Sequence, residues 1–243
     1  MPSSPPAPPR LSIAGARAAY VGPGLGLAPH TNAVAVVAAG LEARFQLTLA
    51  GNPPLSASIA LVPPRTRHHL VSAGPMAFVY LDAASDDHRH LRAADLHARH
   101  AALVAAAADP GADVDGLCDA LGVPPRRPID PRIRRVLDAL ETQPDDARPL
   151  AAWAALEGLS ASRFQALFTQ ELGLAFRRYR TWRRMAAVVR ALAAGGTLTE
   201  AAFAAGFASS AHLSATFRGM FGLAPSGLKG MRLRAGPPVG LDV

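Results

Sequence analysis

Residues 198–228 read LTEAAFAAGFASSAHLSATFRGMFGLAPSGL, and this stretch decides the fold. Leu198, Ala201, Ala202 and Ala205 recur at helical spacing, and Gly206 stops that short helix. Phe207 occupies the turn. Ser209 or Ser210 caps a second helix, with Leu213, Phe217 and Phe221 on its inner face. The same grammar appears upstream. Leu150, Trp153, Ala154 and Leu156 begin a helix that stops at Gly158. Ser160 caps the next, with Phe164, Leu167, Phe168 and Leu172 as one apolar face and Gly173 as its stop. GLSASRFQALF (158–168) and GFASSAHLSATF (206–217) are therefore two copies of one unit, repeated at a period of about 49 residues. Between them, residues 175–194 form a helix of about 20 residues, roughly 30 Å at 1.5 Å per residue. A short helix, a glycine turn and a second helix make a helix-turn-helix. Two such units about one DNA turn (roughly 34 Å) apart can reach successive major grooves. An all-α bundle with ordinary glycine caps is the plainer alternative.

Charge favours a polyanionic partner. The chain has 243 residues and a formal net charge of +7, unevenly placed. Residues 1–129 hold 10 arginines and 9 acidic residues; residues 130–243 hold 15 basic and 9 acidic ones. A basic C-terminal half beside a nearly neutral N-terminal half suits a nucleic-acid module with a companion domain. Half of the residues are hydrophobic, so disorder of most of the chain is excluded. The single cysteine, Cys118, excludes an internal disulfide framework and a cysteine-rich zinc module. The apolar runs are broken by Gly, Pro, Asn or Thr, and the Pro/Ser-rich start lacks the apolar segment of a signal peptide. A cytoplasmic protein without a membrane span is expected.

The N-terminal half has a different texture. Short apolar runs at Ala33–Ala39, Phe45–Leu49, Ile59–Val62 and Phe78–Leu81, bounded by turn formers, read as strands. Residues 86–122 change to helical texture, and the prolines from Pro124 to Pro131 read as a linker or helix start. The predicted fold is α+β: a disordered tail at 1–10, a β-barrel domain at 11–82, a helical connector at 83–129, an all-α domain at 130–235 with two helix-turn-helix units joined by a long helix, and a tail at 236–243.

Residues 131–229 resemble the DNA-binding domain of AraC/XylS-type transcription regulators. The likeness rests on LAAWAALEGLSASRFQALFTQELG, on FRRYRTWRRM, and above all on AxxxGFxSxxHLxxxF followed by FGLxPS within residues 202–226. It implies a sequence-specific transcription regulator, not an enzyme, acting on double-stranded promoter DNA. RNA polymerase is an implied partner and a homodimer is the expected assembly. Leu61–Leu70 resembles the strand-turn-strand signature of the family's cupin-like sensor domains, which implies a small-molecule effector in the barrel.

With 164, 167 and 168 inward, the first recognition helix leaves Ser162, Arg163, Gln165, Ala166 and Thr169 on or beside its open face. The second leaves Ser210, Ala211, His212, Ser214, Ala215 and Arg218. Gln165 can pair with adenine, serines can donate or accept, and alanine can touch a thymine methyl. Arg163, Arg218 and His212 suit phosphates, which fix register without encoding sequence. The alanines at 166 and 215 depart from the long polar residues common in the family, so the second helix is expected to act through backbone contacts and DNA shape. Arg177, Arg178, Arg180, Arg183 and Arg184 are either a solvated face, with some paired to Glu171 or Glu200, or phosphate contacts.

In the barrel, His30 and His68 are the candidate ligand-binding residues. A metal-dependent cupin enzyme tethered to DNA would gather two or three His and a carboxylate around one ion, with His30, His68, His69 and Glu42 as candidates, but the H-x-H pair and accompanying Glu are absent. His88, His90, His97 and His100 read as a solvated helix face before a metal set. No metal or cofactor is expected. A third alternative is a ligand-independent DNA-binding protein whose barrel serves only structure.

Overall fold

The computed structural model describes residues 8–83, 91, 96–123 and 128–236. Strands β1 (Arg10–Ala14), β2 (Arg17–Gly22), β3 (His30–Thr31), β4 (Val36–Gly40), β5 (Phe45–Leu49), β6 (Leu55–Ala57), β7 (Ile59–Val62), β8 (Arg67–Val71) and β9 (Met76–Tyr80) come first. Helices α1 (Leu96–Ala108) and α2 (Val114–Ala120) follow. The C-terminal part holds α3 (Pro131–Thr142), α4 (Leu150–Leu156), α5 (Ala161–Leu172), α6 (Phe176–Ala193), α7 (Leu198–Ala204) and α8 (Ser210–Phe221). A 3-10 turn (Pro225–Leu228) and strand β10 (Arg232–Ala235) end the described chain. This is the expected α+β fold, with two sheets followed by the duplicated helical unit.

The six-stranded sheet runs β10-β1-β2-β9-β4-β7, and the four-stranded sheet β3-β8-β5-β6. Every residue of β4 and β9 is buried, because the larger sheet is covered on both faces. Tyr20, Val36, Ala38, Met76, Phe78 and Tyr80 face inward, towards Phe45, Leu47 and Leu70 of the smaller sheet. Ala19, Val37, Ala39, Ala77 and Val79 face outward, under Leu103 of α1 and Leu117 and Cys118 of α2. Small residues on that outer face let the helices approach closely.

The helical caps follow the sequence. Asp130 accepts from the Arg132 amide, with Pro131 in the first turn of α3. Ser160 caps α5, Thr197 and Glu200 form a capping box on α7, and Ser209, not Ser210, caps α8. Phe164, Phe168 and Leu172 of α5, and Leu213 and Phe217 of α8, are buried.

Two segments expected outside the barrel belong to its larger sheet. The first strand begins at Arg10, inside the supposed tail. Arg232–Ala235, placed by sequence in the all-α domain, leaves the helices and pairs parallel to β1, Arg10 opposite Arg232 and Ser12 opposite Arg234. Leu233 is its only large apolar residue, so backbone bonding rather than side-chain pattern defines this strand. Arg232 N donates to Pro9 O and Gly236 N to Ile13 O, each at 2.7 Å. Residues 1–7, the linker at 124–127 and the tail from 237 lie outside the described residues.

The sheet and the second helix-turn-helix share one core. Tyr80 packs on Trp182 of α6 and on Phe221 of α8, with ring centroids 5.6 and 5.8 Å apart. The Trp182 indole N–H donates to the Ala16 carbonyl at 2.9 Å, and the Ala28 amide to the Gly222 carbonyl at 2.8 Å. Gly222 ends α8 at φ +75°, and a Cβ there would lie 2.5 Å from Ala28 O and 2.6 Å from His30 Nδ1. Gly158 has φ +65° but open space around it. Gly158→Ala should therefore cost about 1–2 kcal/mol, the left-handed penalty alone. Gly222→Ala should cost clearly more and expose the 222–230 segment to protease; denaturant unfolding and limited proteolysis of the pair check this.

Candidate nucleic-acid interface

Burying Phe164 and Phe168 turns the opposite side of α5 outward. Ser162, Arg163, Ala166 and Thr169 are exposed there, and Gln165 is half-buried. The Gln165 side-chain amide donates to Thr169 Oγ1 at 2.9 Å, which holds both side chains on the helix surface. Gln170 is exposed beside Ala166; the sequence reading passed over it, although its spacing from Ala166 places it on the same face. On α8, Ala211, His212, Ala215 and Arg218 are exposed, while Ser210 and Ser214 are half-buried. The His212 ring sits edge-on to Phe207 at 5.3 Å. Neither recognition face is covered by the barrel: α8 docks through its buried side and its C-terminal end.

The connecting helix α6 has 18 residues, about 27 Å of rise. Its arginines divide by role. Arg180 donates to the Arg148 carbonyl at 3.0 Å and also to that of Asp146. Arg184 Nε donates to Ala205 O at 2.5 Å, with its guanidinium 4.3 Å from the Phe207 ring centre. Arg183 is buried and pairs with Glu141 at 2.9 Å, not with Glu171 or Glu200; Arg190 approaches the same carboxylate at 3.6 Å. These four bind the two helical units to each other and to α3. Arg177 and Arg178 stay exposed, and among the α6 arginines they are the ones left open to phosphate.

An apolar cavity of about 60 Å³ lies between the inner face of the large sheet and the second helix-turn-helix. Tyr20, Phe78 and Tyr80 line it from the sheet, and Met185, Ala186 and Phe221 from the helices. His30 and His68 are not among its lining residues. They lie on neighbouring strands with ring centroids 4.3 Å apart, and His30 sits next to Gly222. Each Nδ1 donates to a nearby carbonyl, His30 to Ala28 and His68 to Thr66, both at 2.9 Å. Among the described residues no group of three or more His, Cys, Asp or Glu gathers to hold a metal ion. His88 and His90 lie outside the described residues, and His100 Nε2 donates to the Gly40 carbonyl at 2.8 Å. No described helix is long and apolar enough to cross a membrane.

Residues 153–230 match the family described as a helix-turn-helix domain. In solved structures, the chain resembles a ligand-free single-residue variant of ToxT from Vibrio cholerae, at 13% identity over 88% of this chain and 98% of that one, with a TM-score of 0.57. It also resembles a second ToxT structure from the same organism, at 12% identity over 87% and 97% of the chains, with a TM-score of 0.55. ToxT bound to (E)-4-(8-methylnaphthalen-1-yl)but-3-enoic acid matches at 12% identity over 90% and 96%, with a TM-score of 0.53. No curated protein matches the chain in sequence. The class is thus a two-domain protein of ToxT-like fold with a duplicated helix-turn-helix. Residues 153–230 are a helix-turn-helix domain, the kind of unit whose second helix enters a DNA groove.

The histidine pair gives this arrangement a pH dependence. Burial first, then the neighbouring His68, pulls His30 from 6.5 down to about 4, and burial also lowers His68. The unfolded chain takes up both protons as the pH falls through 6.5, while the folded chain protonates His30 only near 4 and His68 below its ordinary range. Their contribution to stability is therefore complete above about pH 7 and is lost as the pH falls towards 4. Melting temperature should drop between about pH 7 and pH 5, and a His30→Gln/His68→Gln double variant should lose that part of the slope.

Proposed function

We propose that the protein is a non-catalytic, small-molecule-responsive regulator that reads promoter DNA with α5 and α8. In this reading Gln165, Ser162, Ala166 and Thr169 meet base edges in one major groove. Ser210, Ala211, His212, Ser214 and Ala215 follow the next groove mainly by shape, and Arg163 and Arg218 hold phosphates. The observation that carries the reading is the pair of uncovered recognition faces set at the two ends of α6. Sequences selected from a random DNA pool should share two blocks about one turn apart, roughly 10 base pairs. A single block, or unselective binding steeply dependent on salt, would overturn bipartite readout. Arg163→Ala should weaken all sites alike and lower the salt slope by about one, whereas Ala215→Arg should change the preferred second block.

The effector reading rests on the cavity between sheet and helices, since a ligand there touches both the barrel and the DNA-binding unit. ToxT, of the same fold, has been solved with a naphthalene-bearing butenoic acid. Small-molecule sites are typically about 300–1,000 Å³, so this cavity of about 60 Å³ is the closed form. Filling it requires Trp182, Phe221 and Tyr80 to part, which shifts α8 relative to α5 and changes the population able to bind DNA. An apolar probe such as naphthalene-1-butyrate should alter DNA affinity of the full chain about tenfold. Ala186→Val, whose added methyls occupy the cavity, should abolish that response while DNA binding persists. An unaltered response in this variant would place the effector elsewhere.

A further inference from the structure

A second and larger hollow lies on the other side of the sheet. It is an open cleft of about 710 Å³ between β1, the loops following β2 and β8, and α1. No residue lines both this cleft and the inner cavity. Val21, Leu41, Pro75, Val104 and Ala107 give it apolar walls.

Arg10 lines the cleft and is 8% exposed. One terminal nitrogen donates to the Ala107 carbonyl at 2.5 Å, and the buried Nε has no hydrogen-bond partner among the described residues. Among the described residues no carboxylate forms an ion pair with it. Asp109 acts on its charge favourably but from a distance, and Arg232 and Arg234 act against it. Those two arginines stand opposite Arg10 and Ser12 in the parallel register, on the same face of the sheet. Arg234 is itself held by the Gly111 carbonyl at 2.9 Å. Among the described residues this buried guanidinium has one carbonyl partner, two more cations beside it and no paired counter-ion, an arrangement that is costly unless an anion completes it. Glu42, exposed on the cleft's lining, disfavours a second negative charge on a bound molecule.

We propose that this outer cleft binds a small organic monocarboxylate, with its carboxylate on Arg10 and its apolar body against Val21, Leu41 and Val104. Arg–carboxylate pairing supplies a charge-assisted, two-point contact that a neutral amide cannot make. Because Arg10 belongs to β1, the ligand also neutralises the repulsion between β1 and β10, and so tightens the strand that returns from the DNA-binding unit.

Binding of benzoate, phenylacetate and octanoate to the full chain, measured by calorimetry against their primary amides and inorganic phosphate, tests this. At least one carboxylate should saturate at millimolar concentration or below, with its amide at least about tenfold weaker and phosphate not competing. Arg10→Gln should weaken that carboxylate by a similar factor. Ala108→Phe, which fills the cleft from an exposed helix position, should abolish binding, while Ala186→Val in the inner cavity leaves it unchanged. If Arg10→Gln fails to fold, Ala108→Phe and the amide comparison decide. Binding that survives Ala108→Phe, amides that bind as well as acids, phosphate that binds as tightly as benzoate, or no saturation by any of the three acids would each overturn the proposal. None of these outcomes depends on DNA binding, so the cleft can fail while the regulator reading stands.

Discussion

The structure depends on one aromatic contact: Tyr80 of the large sheet against Trp182 and Phe221 of the DNA-binding unit. These rings lie within 6.0 Å of one another, centroid to centroid, and they make one core of what would otherwise be two. Aromatic side chains dominate such interfaces through the area they bury. The Trp182 indole bonded to the barrel backbone then fixes the angle at which α6 leaves the sheet. Because α6 carries one recognition helix at each end, a contact near its middle sets the attitude of the whole DNA-binding face relative to the barrel.

The polar seam serves the same end by different means. Arg180 and Arg184 bond to backbone carbonyls near the loop before α4 and at the end of α7, and Arg183 is buried against Glu141. Removing one partner of a buried ion pair costs more than the pair itself stabilises, so these arginines enforce an arrangement more than they add net stability. A helix so rich in arginine looks like a surface for phosphate. Most of its charge in fact points into the protein, and the exposed pair Arg177 and Arg178 is the exception.

The duplicated unit was legible because glycine stops, serine caps and aromatic spacing are local rules, and each copy obeys them in its own sequence. The strand runs at 45–49 and 59–62 were legible for the same reason. What escaped was non-local. Arg232–Ala235 carries no strand pattern, since its partner is the first strand of the chain and backbone bonds alone define it. Arg10 looked like the end of a polar tail, yet its neighbours come from residues near 107 and 232. His30 and His68 were visible as candidates, but only the fold shows that they pack on each other, with His30 beside Gly222, instead of lining the cavity. On the DNA side, the exposed faces of α5 and α8 followed from helical periodicity, while the engagement of the α6 arginines needed the tertiary structure.

The parallel pairing of β1 with β10 has a consequence for synthesis. During synthesis β1 keeps this edge open until β10 has been made, because more than two hundred residues separate Arg10 from Arg232. An open strand edge is a template for pairing with other chains, and such distant contacts form slowly. The basic, weakly apolar sequence of β10 is itself a poor partner for anything but its own β1. Chains truncated before residue 232 would keep that edge open, so losing β10 alone should yield aggregation-prone protein even with both recognition helices intact.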